Sequence, residues 1–185
     1  MIPSTMQRVP LSLNHILERA GRLYAESQIV SRRPDKSIVR HRFADFHRRA
    51  RQLASALRAA GLRKGDRVAT LCWNHYAHLE CYFGIPAAGG VMHTLNLRLA
   101  PDEIGWIANH ARDRFLIVDD ILLPLYEQFR GGAPFEHTVS HRAPTLDRDD
   151  VKRFEDAGAQ RIVILPWWHA RDADEALGRL ADSAL

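Results

Sequence analysis

The stretch 84-GIPAAGGVMHTLNLRLAPDEI-104 combines a glycine pair, an apolar run, an arginine and a proline-led acidic segment. The adjacent glycines predict the end of a helix and a sharp turn into a strand at 90–95, because glycine allows backbone turns and close approaches that a Cβ hinders. Proline suits the first position of a helix, and acidic residues suit the positive end of its dipole, so a second helix is expected at 101–110. The stretch therefore predicts a helix, strand and helix that bring Arg98 to the end of a strand.

Helices and strands alternate on both sides of this stretch. Apolar periodicity predicts helices at 11–26, 43–60, 75–88 and 121–130, a hairpin at 28–33 and 37–42, and further strands at 67–73 and 114–119. Strands separated by helices of this length are expected to pair in parallel through right-handed crossovers. The predicted fold is therefore α/β, a mostly parallel sheet covered by helices.

The region after residue 130 has a different composition. The stretch 131–150 holds two glycines and two prolines with little apolar periodicity, which is typical of a linker or a broken element. A helix at 149–158, an apolar strand at 161–166 and a helix at 172–184 then predict a C-terminal α-β-α unit. We divide the chain into a first region at 1–139, a linker or junction at 140–150 and a tail at 151–185.

Composition restricts the partners of the chain. It has 185 residues and a net charge of +4, with the densest basic passage at 47–67. The arginines of this passage are expected on a solvated helix face and have no interleaved aromatic residues, so a nucleic-acid partner is not expected. Neither a secretory leader nor a membrane-spanning run is visible, and the two cysteines lie in apolar stretches. We therefore expect no membrane insertion, no disulfide and a cytoplasmic location.

Two patterns that could carry chemistry are weak. Cys72, His75, His78 and Cys81 stand three residues apart, a spacing that superficially suggests zinc. The first is expected in a strand, and three-residue steps on the following helix make the other side chains fan out, so no metal site is expected. No serine, histidine and aspartate stand at a known triad spacing. We assign no catalytic residue.

The segment 62-LRKGDRVATLCWNHYAHLECYFGIPAAGGVMHTLNLRLAPDEIGWIANHARDRFLIVDD-120 resembles the N-terminal region of AMP-forming acyl-CoA synthetases, the fatty-acid ligase branch of the adenylate-forming enzymes. The resemblance extends over about 11–139. It implies the incomplete front of a large N-terminal α/β domain. It also implies a parent reaction in which a carboxylate, medium- to long-chain fatty acids above all, reacts with ATP to give an acyl-adenylate that CoA captures as a thioester. ATP, Mg²⁺ and CoA are the ligands of the parent family.

The family's phosphate-binding loop has no counterpart in this sequence. The family uses a run of Ser, Thr and Gly ending in Pro-Lys-Gly, whereas this chain has neither a G-x-G nor a Gly-Lys-Ser/Thr, and its Lys64 lies in a KGD turn. Backbone N–H groups and a cation are needed to offset the charge of a triphosphate. The chain alone is therefore expected neither to adenylate a carboxylate nor to bind a cofactor through known residues.

Arg98 is the one candidate for substrate binding. It stands in the N-L-R-L segment that follows the strand, and the resemblance implies that the matching arginine contacts the nucleotide phosphates of CoA. In the alternative interpretation Arg98 pairs with Asp102 or Glu103 at the start of the next helix. This sequence has Leu97 where the family often has proline, so the geometry of the loop is expected to differ.

The tail carries a second, shorter resemblance. Residues 145–185, with FEDAG before an apolar strand ending in LP, are similar to the C-terminal end of luciferase-like monooxygenases, (β/α)8-barrel enzymes that use flavin or deazaflavin. Trp167 and Trp168 follow this strand and are expected to be packing or exposed residues. The chain would then be a fusion, a remnant or a gene-model error.

Three functions remain open at this stage. The chain is a catalytically incomplete ligase fragment, a CoA- or nucleotide-binding module that partners a complete ligase, or a piece of a flavin-dependent oxidoreductase. A sheet edge left open by missing strands predicts self-association.

Overall fold

A three-stranded parallel sheet lies at the centre of the computed structural model, which describes residues 10–33, 36–130, 138–141 and 161–164. The elements follow in the order α1 (Leu13–Leu23), β1 (Gln28–Arg32), β2 (Ile38–Arg42), α2 (Phe43–Ala59), β3 (Arg67–Leu71), α3 (Tyr76–Ala88), β4 (Val91–Thr94), α4 (Pro101–Ala111), β5 (Phe115–Val118), α5 (Leu123–Phe129), β6 (Thr138–His141) and β7 (Arg161–Ile164). One turn of 3-10 helix, Asp120–Leu122, precedes α5.

The sheet has the strand order β4-β3-β5, and both pairings are parallel. Val68 of β3 lies opposite Met92 on one side and Phe115 on the other. The predicted parallel α/β sheet is confirmed. Helices α3 and α4 make the crossovers, because parallel strands need connections long enough to return to the same end of the sheet.

Helices cover both faces of the sheet, and successive side chains of each strand pack against opposite faces. Ala69, Leu71, Leu116 and Val118 pack against α4 and α5, whereas Val68, Phe115 and Ile117 pack against α2 and α3. The two-residue period of a strand produces this division. All four strand residues of β5 are buried, as expected for a strand with helices on both faces.

The glycine pair has the two roles that the sequence predicts. Gly89 has φ 94° and ends α3 in the left-handed conformation. A Cβ on Gly90 would lie 3.1 Å from Ile85 Cγ2 and from Leu62 Cδ2, so this position needs the close backbone approach that glycine permits. Pro101 occupies the first turn of α4, as predicted.

A smaller hydrophobic cluster joins the first hairpin to the helices. Strands β1 and β2 form an antiparallel pair, and Leu17 of α1 packs with Phe46 and Ala50 of α2. Beside this cluster, Arg49 is buried and forms a bidentate ion pair with Glu80 of α3. The prediction that the arginines of 47–67 lie on a solvated face is therefore wrong for Arg49.

The predicted linker at 131–150 contains a strand that was not predicted, β6. Strand β6 lies next to β5 and pairs in parallel with β7. Its strand conformation therefore depends on a pairing partner more than twenty residues further along the chain. Strand β7 confirms the strand predicted at 161–166. The helices predicted at 149–158 and 172–184, with Trp167 and Trp168, lie outside the described residues. Among the helices described, none has the length and apolar character needed to span a bilayer.

Candidate functional site

The carboxyl ends of β3, β4 and β5 meet at one edge of the sheet. The Leu95 N–H donates to the Thr70 carbonyl at 2.9 Å, and the Asp119 N–H donates to the Leu71 carbonyl at 3.0 Å. These bonds continue the pairing past the ends of the strands. Ligands of α/β proteins bind beside this edge, so we call the loops 72–75, 95–100 and 119–120 the carboxyl edge.

Arg98 lies exposed in the middle loop of the carboxyl edge. The side chain of Asn96 accepts the Arg98 N–H at 3.0 Å, and the Leu99 N–H donates to the Asn96 carbonyl at 3.3 Å, so the loop is a tight turn. Leu97 and Leu99 pack against the core next to α4. Leu97, which stands where the family often has proline, thus packs on the core while Arg98 faces solvent.

The alternative ion pair of Arg98 is not formed. The Glu103 carboxylate accepts the Ala100 N–H at 3.1 Å and so caps α4. In the part of the chain that the structure describes, neither Asp102 nor Glu103 forms a salt bridge with Arg98. The Arg98 guanidinium remains available to an anion.

Asp119 connects two loops of the carboxyl edge. Its carboxylate accepts the Trp73 N–H at 2.8 Å and lies 2.8 Å from His75 Nε2. The other ring nitrogen of His75, Nδ1, accepts the Ala77 N–H at 3.1 Å and caps α3. Because Nδ1 is an acceptor, Nε2 is the protonated nitrogen that donates to Asp119. Both ring nitrogens therefore hold the edge together.

His78 lies deeper, beneath the same end of the sheet. Its Nε2 lies 3.0 Å from the Thr70 hydroxyl. Burial lowers the pKa of His78 below its usual value, with His75 acting in the same direction and Asp119 opposing. Burial therefore favours the neutral form of His78.

The four residues of the zinc-like spacing have separate roles. His75 bonds to Asp119 and His78 to Thr70, while Cys72 and Cys81 are buried in the core next to α2. Among the described residues, no three His, Cys, Asp or Glu side chains stand close enough together to bind a metal ion. These residues do not fit the Mg²⁺ of the parent family either, and we derive no step through it.

Sequence reasoning missed Asp119 and His75 as a pair because 44 residues separate them. One signal was available: Asp119 directly follows a wholly buried strand, and polar residues at that place in parallel sheets lie at the ligand edge.

The KGD turn at 64–66, which the sequence left without a role, is stabilised by hydrogen bonds. Its aspartate, Asp66, accepts the Arg63 N–H at 2.7 Å and a bond from Arg114 at 2.5 Å.

Curated relatives of this chain are acyl-CoA ligases. It is 49% identical over 129 residues to the long-chain-fatty-acid–CoA ligase of Thermus thermophilus, covering 70% of this chain and 24% of that protein. It is 42% identical over 163 residues to the 3-methylmercaptopropionyl-CoA ligase of Ruegeria pomeroyi, covering 88% of this chain and 29% of that protein. The chain thus spans about a quarter of the length of these relatives.

Solved structures agree with the fold. The anthranilate CoA ligase AuaEII in complex with anthranoyl-AMP superimposes with a TM-score of 0.63 at 30% identity, over 72% of this chain and 26% of that one. The N-terminal domain of FACL13 from Mycobacterium tuberculosis gives 0.63 at 20% identity, over 92% of this chain and 37% of that one, and shows the fold alone.

The family comparison covers most of the sequence. The model of the AMP-binding enzyme family matches residues 17–176, which overlaps the tail for which a barrel-enzyme origin is predicted. That origin concerns residues largely outside the described part and stays a prediction. The chain therefore belongs to the AMP-binding enzyme family.

Proposed function

We propose that the chain forms the N-terminal part of an AMP-forming acyl-CoA ligase and supplies a phosphate contact for CoA or a nucleotide through Arg98. The parent reaction joins a carboxylate, in this proposal a fatty acid, to CoA through an acyl-adenylate made from ATP. The match to the AMP-binding enzyme family and the ligase relatives support this assignment.

The guanidinium of Arg98 carries the proposal, because it is exposed at the carboxyl edge and forms no salt bridge with any residue that the structure describes. The carboxylate of Glu103, one of the two acidic residues expected to pair with Arg98, caps α4 instead. The planar guanidinium suits bidentate bonding to a phosphate. The turn fixed by Asn96 and the partly buried Leu97 and Leu99 on either side hold the backbone of Arg98 in place before a ligand arrives.

The chain alone is proposed to lack catalysis. A triphosphate needs a loop of backbone N–H groups with a lysine, and the sequence contains no such loop. The described residues also offer no carboxylate cluster for a metal that would bridge phosphates. The chain is accordingly a binding and structural part, whose turnover depends on groups supplied elsewhere in a ligase.

Calorimetric titration with CoA tests the Arg98 contact. A charge-assisted hydrogen bond contributes about 1.5–3 kcal/mol, so Arg98→Ala is expected to weaken CoA binding by about 10- to 100-fold. Arg63→Ala is the matched control, because Arg63 is an exposed arginine in the turn before β3, at the opposite edge of the sheet. Wild-type protein that releases no heat with CoA, or equal losses in the two variants, would contradict the proposal.

The open edge of β4 is proposed to promote self-association. In the described sheet β4 is an edge strand, and its Val91 is exposed. Unpaired strand edges tend to pair with other chains. Size-exclusion chromatography should show oligomers that increase with protein concentration, whereas a monomer at all concentrations would exclude this.

A further inference from the structure

Strand β1 of the hairpin has an unpaired edge. Just past the strand pair, the Arg33 N–H donates to the Ser37 carbonyl at 2.9 Å. Residues of an antiparallel pair alternate between those that bond to the partner strand and those that do not. The register therefore places the N–H and C=O groups of Val30 and Arg32 on the edge of β1 that points away from β2. In the part of the chain that the structure describes, no other group bonds to the N–H of either residue.

A groove of about 310 Å³ lies between this edge of β1 and the N-terminal half of α3. Four consecutive residues of β1 line it: Ile29, Val30, Ser31 and Arg32. Alternate residues of a strand point to opposite faces, and Ser31 is buried, so the side chains of Val30 and Arg32 lie on the outward face of the hairpin. These two residues therefore reach the groove through their backbone, where a further strand would pair.

The opposite wall of the groove belongs to α3 and the loop before it. Leu79 and Tyr82 supply apolar surface, and Tyr82 is 44% exposed. The rings of His75 and His78, which also line the groove, are already hydrogen-bonded within the protein. Side chains that enter the groove are therefore expected to be apolar, because they cover the leucine and the tyrosine.

A hydrogen bond and shared packing fix the two walls relative to each other. The N–H of Tyr76, the first residue of α3, donates to the Ser31 hydroxyl of β1 at 2.9 Å. Ile29 and Leu79, one from each wall, pack against the same hydrophobic cluster. The edge of β1 is thus held extended before a partner binds, which lowers the entropy cost of pairing with it.

The outward face of the hairpin is cationic. Arg32 and Arg40 are exposed on this face, and neither forms a salt bridge with a described residue. A strand added to β1 would place one of its side chains on this face directly beside Arg32, because directly opposite residues of paired strands share a face. An acidic side chain is favoured there. A second copy of β1 could not supply one, since Gln28–Arg32 contains no acidic residue.

We propose that the free edge of β1 binds an extended segment of a partner protein, which pairs with β1 as a third strand. The side chains of this segment alternate: apolar side chains enter the groove, and an acidic side chain lies on the outward face beside Arg32. Pairing through main-chain bonds, with pockets for alternate side chains, is a general mode of peptide recognition. The site is separate from the Arg98 contact and does not rest on the proposed function.

Fluorescence anisotropy with a labelled peptide, Val-Glu-Val-Glu-Val, tests the free edge. Two derivatives carry N-methyl groups, one on both glutamates and the other on the last two valines, so that each lacks the N–H groups of one edge of the peptide strand. Only one edge of an added strand faces β1. One derivative is therefore expected to bind about 10-fold or more weakly than the parent peptide, and the other within about twofold of it.

Variants of the hairpin test the same edge from the protein side. Val30→Pro removes an N–H from the free edge of β1 and is expected to weaken binding of the parent peptide by about 5-fold or more. Ile38→Pro is the matched control, because Ile38 is also exposed and β-branched on the outward face, but its N–H points to the other edge of the hairpin. It should change the affinity less than twofold. Arg32→Gln should weaken binding by about 2- to 5-fold, but should not affect binding of Val-Gln-Val-Gln-Val.

Three results would overturn the proposal: a parent peptide that does not bind, two methylated derivatives that bind equally, or equal losses in the two proline variants. Dimers that Val30→Pro abolishes, in a chain that binds no peptide, would assign the edge to a second copy instead. Circular dichroism checks that the variants remain folded, and the methylated peptides test the wild-type chain directly. Arg98→Ala should leave peptide binding unchanged, so failure of the CoA contact and failure of the free edge are distinguishable.

Discussion

The buried ion pair between α2 and α3 allows a quantitative test of the fold. The Arg49 and Glu80 side chains are 6% and 2% exposed, with Nε to Oε1 at 2.6 Å and Nη2 to Oε2 at 3.3 Å. Removing one partner of such a pair leaves an uncompensated buried charge and costs about 3–5 kcal/mol. Replacing both partners with apolar residues of similar volume is often nearly neutral.

We therefore expect Arg49→Met to lower the free energy of unfolding by about 3–5 kcal/mol. If the free energy of unfolding falls by about 2 kcal/mol per molar urea, the midpoint of urea unfolding should fall by about 1.5–2.5 M. Circular dichroism measures this midpoint. The double variant Arg49→Met, Glu80→Leu is expected to recover most of this loss.

The exposed pair of Arg42 and Glu26 is the control, because its side chains are 55% and 79% exposed and 3.3 Å apart. Glu26→Gln should change stability by less than about 0.5 kcal/mol. A loss below about 1 kcal/mol for Arg49→Met would refute the reasoning, as would a double variant whose loss equals the sum of the two single losses.

Two further substitutions test local parts of the fold. Burial opposes ionisation of Asp66, but bonds from the Arg63 N–H and from Arg114 outweigh it and lower the pKa of Asp66. A lowered folded-state pKa adds stability that is present above the unfolded value of about 4 and lost as pH falls. Asp66→Asn should thus flatten the fall of the urea midpoint below about pH 5, and an unchanged slope would contradict this. A Cβ on Gly84 would lie 2.8 Å from Leu53 Cδ2, so Gly84→Ala should destabilise by about 1–3 kcal/mol, although alanine favours helices. A higher melting temperature for Gly84→Ala would contradict this, because it would show that α2 and α3 can move apart without loss of stability.

The sequence predicted the elements of the sheet well because their signals are local. The alternation of apolar helices and strands and the glycine pair before β4 depend on neighbouring residues, and the predicted strand and helix limits agree with the structure within a few residues. Helix α3 continues through Pro86, which lies in its last turn. The parallel pairing of the strands followed from the length of the crossovers alone, whereas their order β4-β3-β5 was not predicted.

Contacts between distant residues could not be predicted in this way. Arg49 and Glu80 are 31 residues apart, and nothing in the basic passage distinguishes Arg49 from the exposed Arg51 and Arg58. Strand β6 lies in a stretch with the composition of a linker, and it forms through pairing with β7. Strand formation depends on such pairing more than on the intrinsic preference of the residues.

The candidate site was predicted in part. The sequence placed Arg98 after the strand, and the structure shows it exposed at the carboxyl edge. The hydrogen bond between Asp119 and His75 was not predicted, because it forms only when the ends of two strands lie side by side. The hydrogen bond from the Tyr76 N–H to the Ser31 hydroxyl was not predicted either, because 45 residues separate the two.

The formation of acyl-CoA by the purified chain, supplied with ATP, Mg²⁺, CoA and a fatty acid, tests the central claim most directly. We predict no thioester above the protein-free control, even if the wild-type chain binds CoA and the Arg98→Ala variant does not. Thioester that accumulates in proportion to the concentration of this chain would show that it contains its own means of holding and activating a triphosphate.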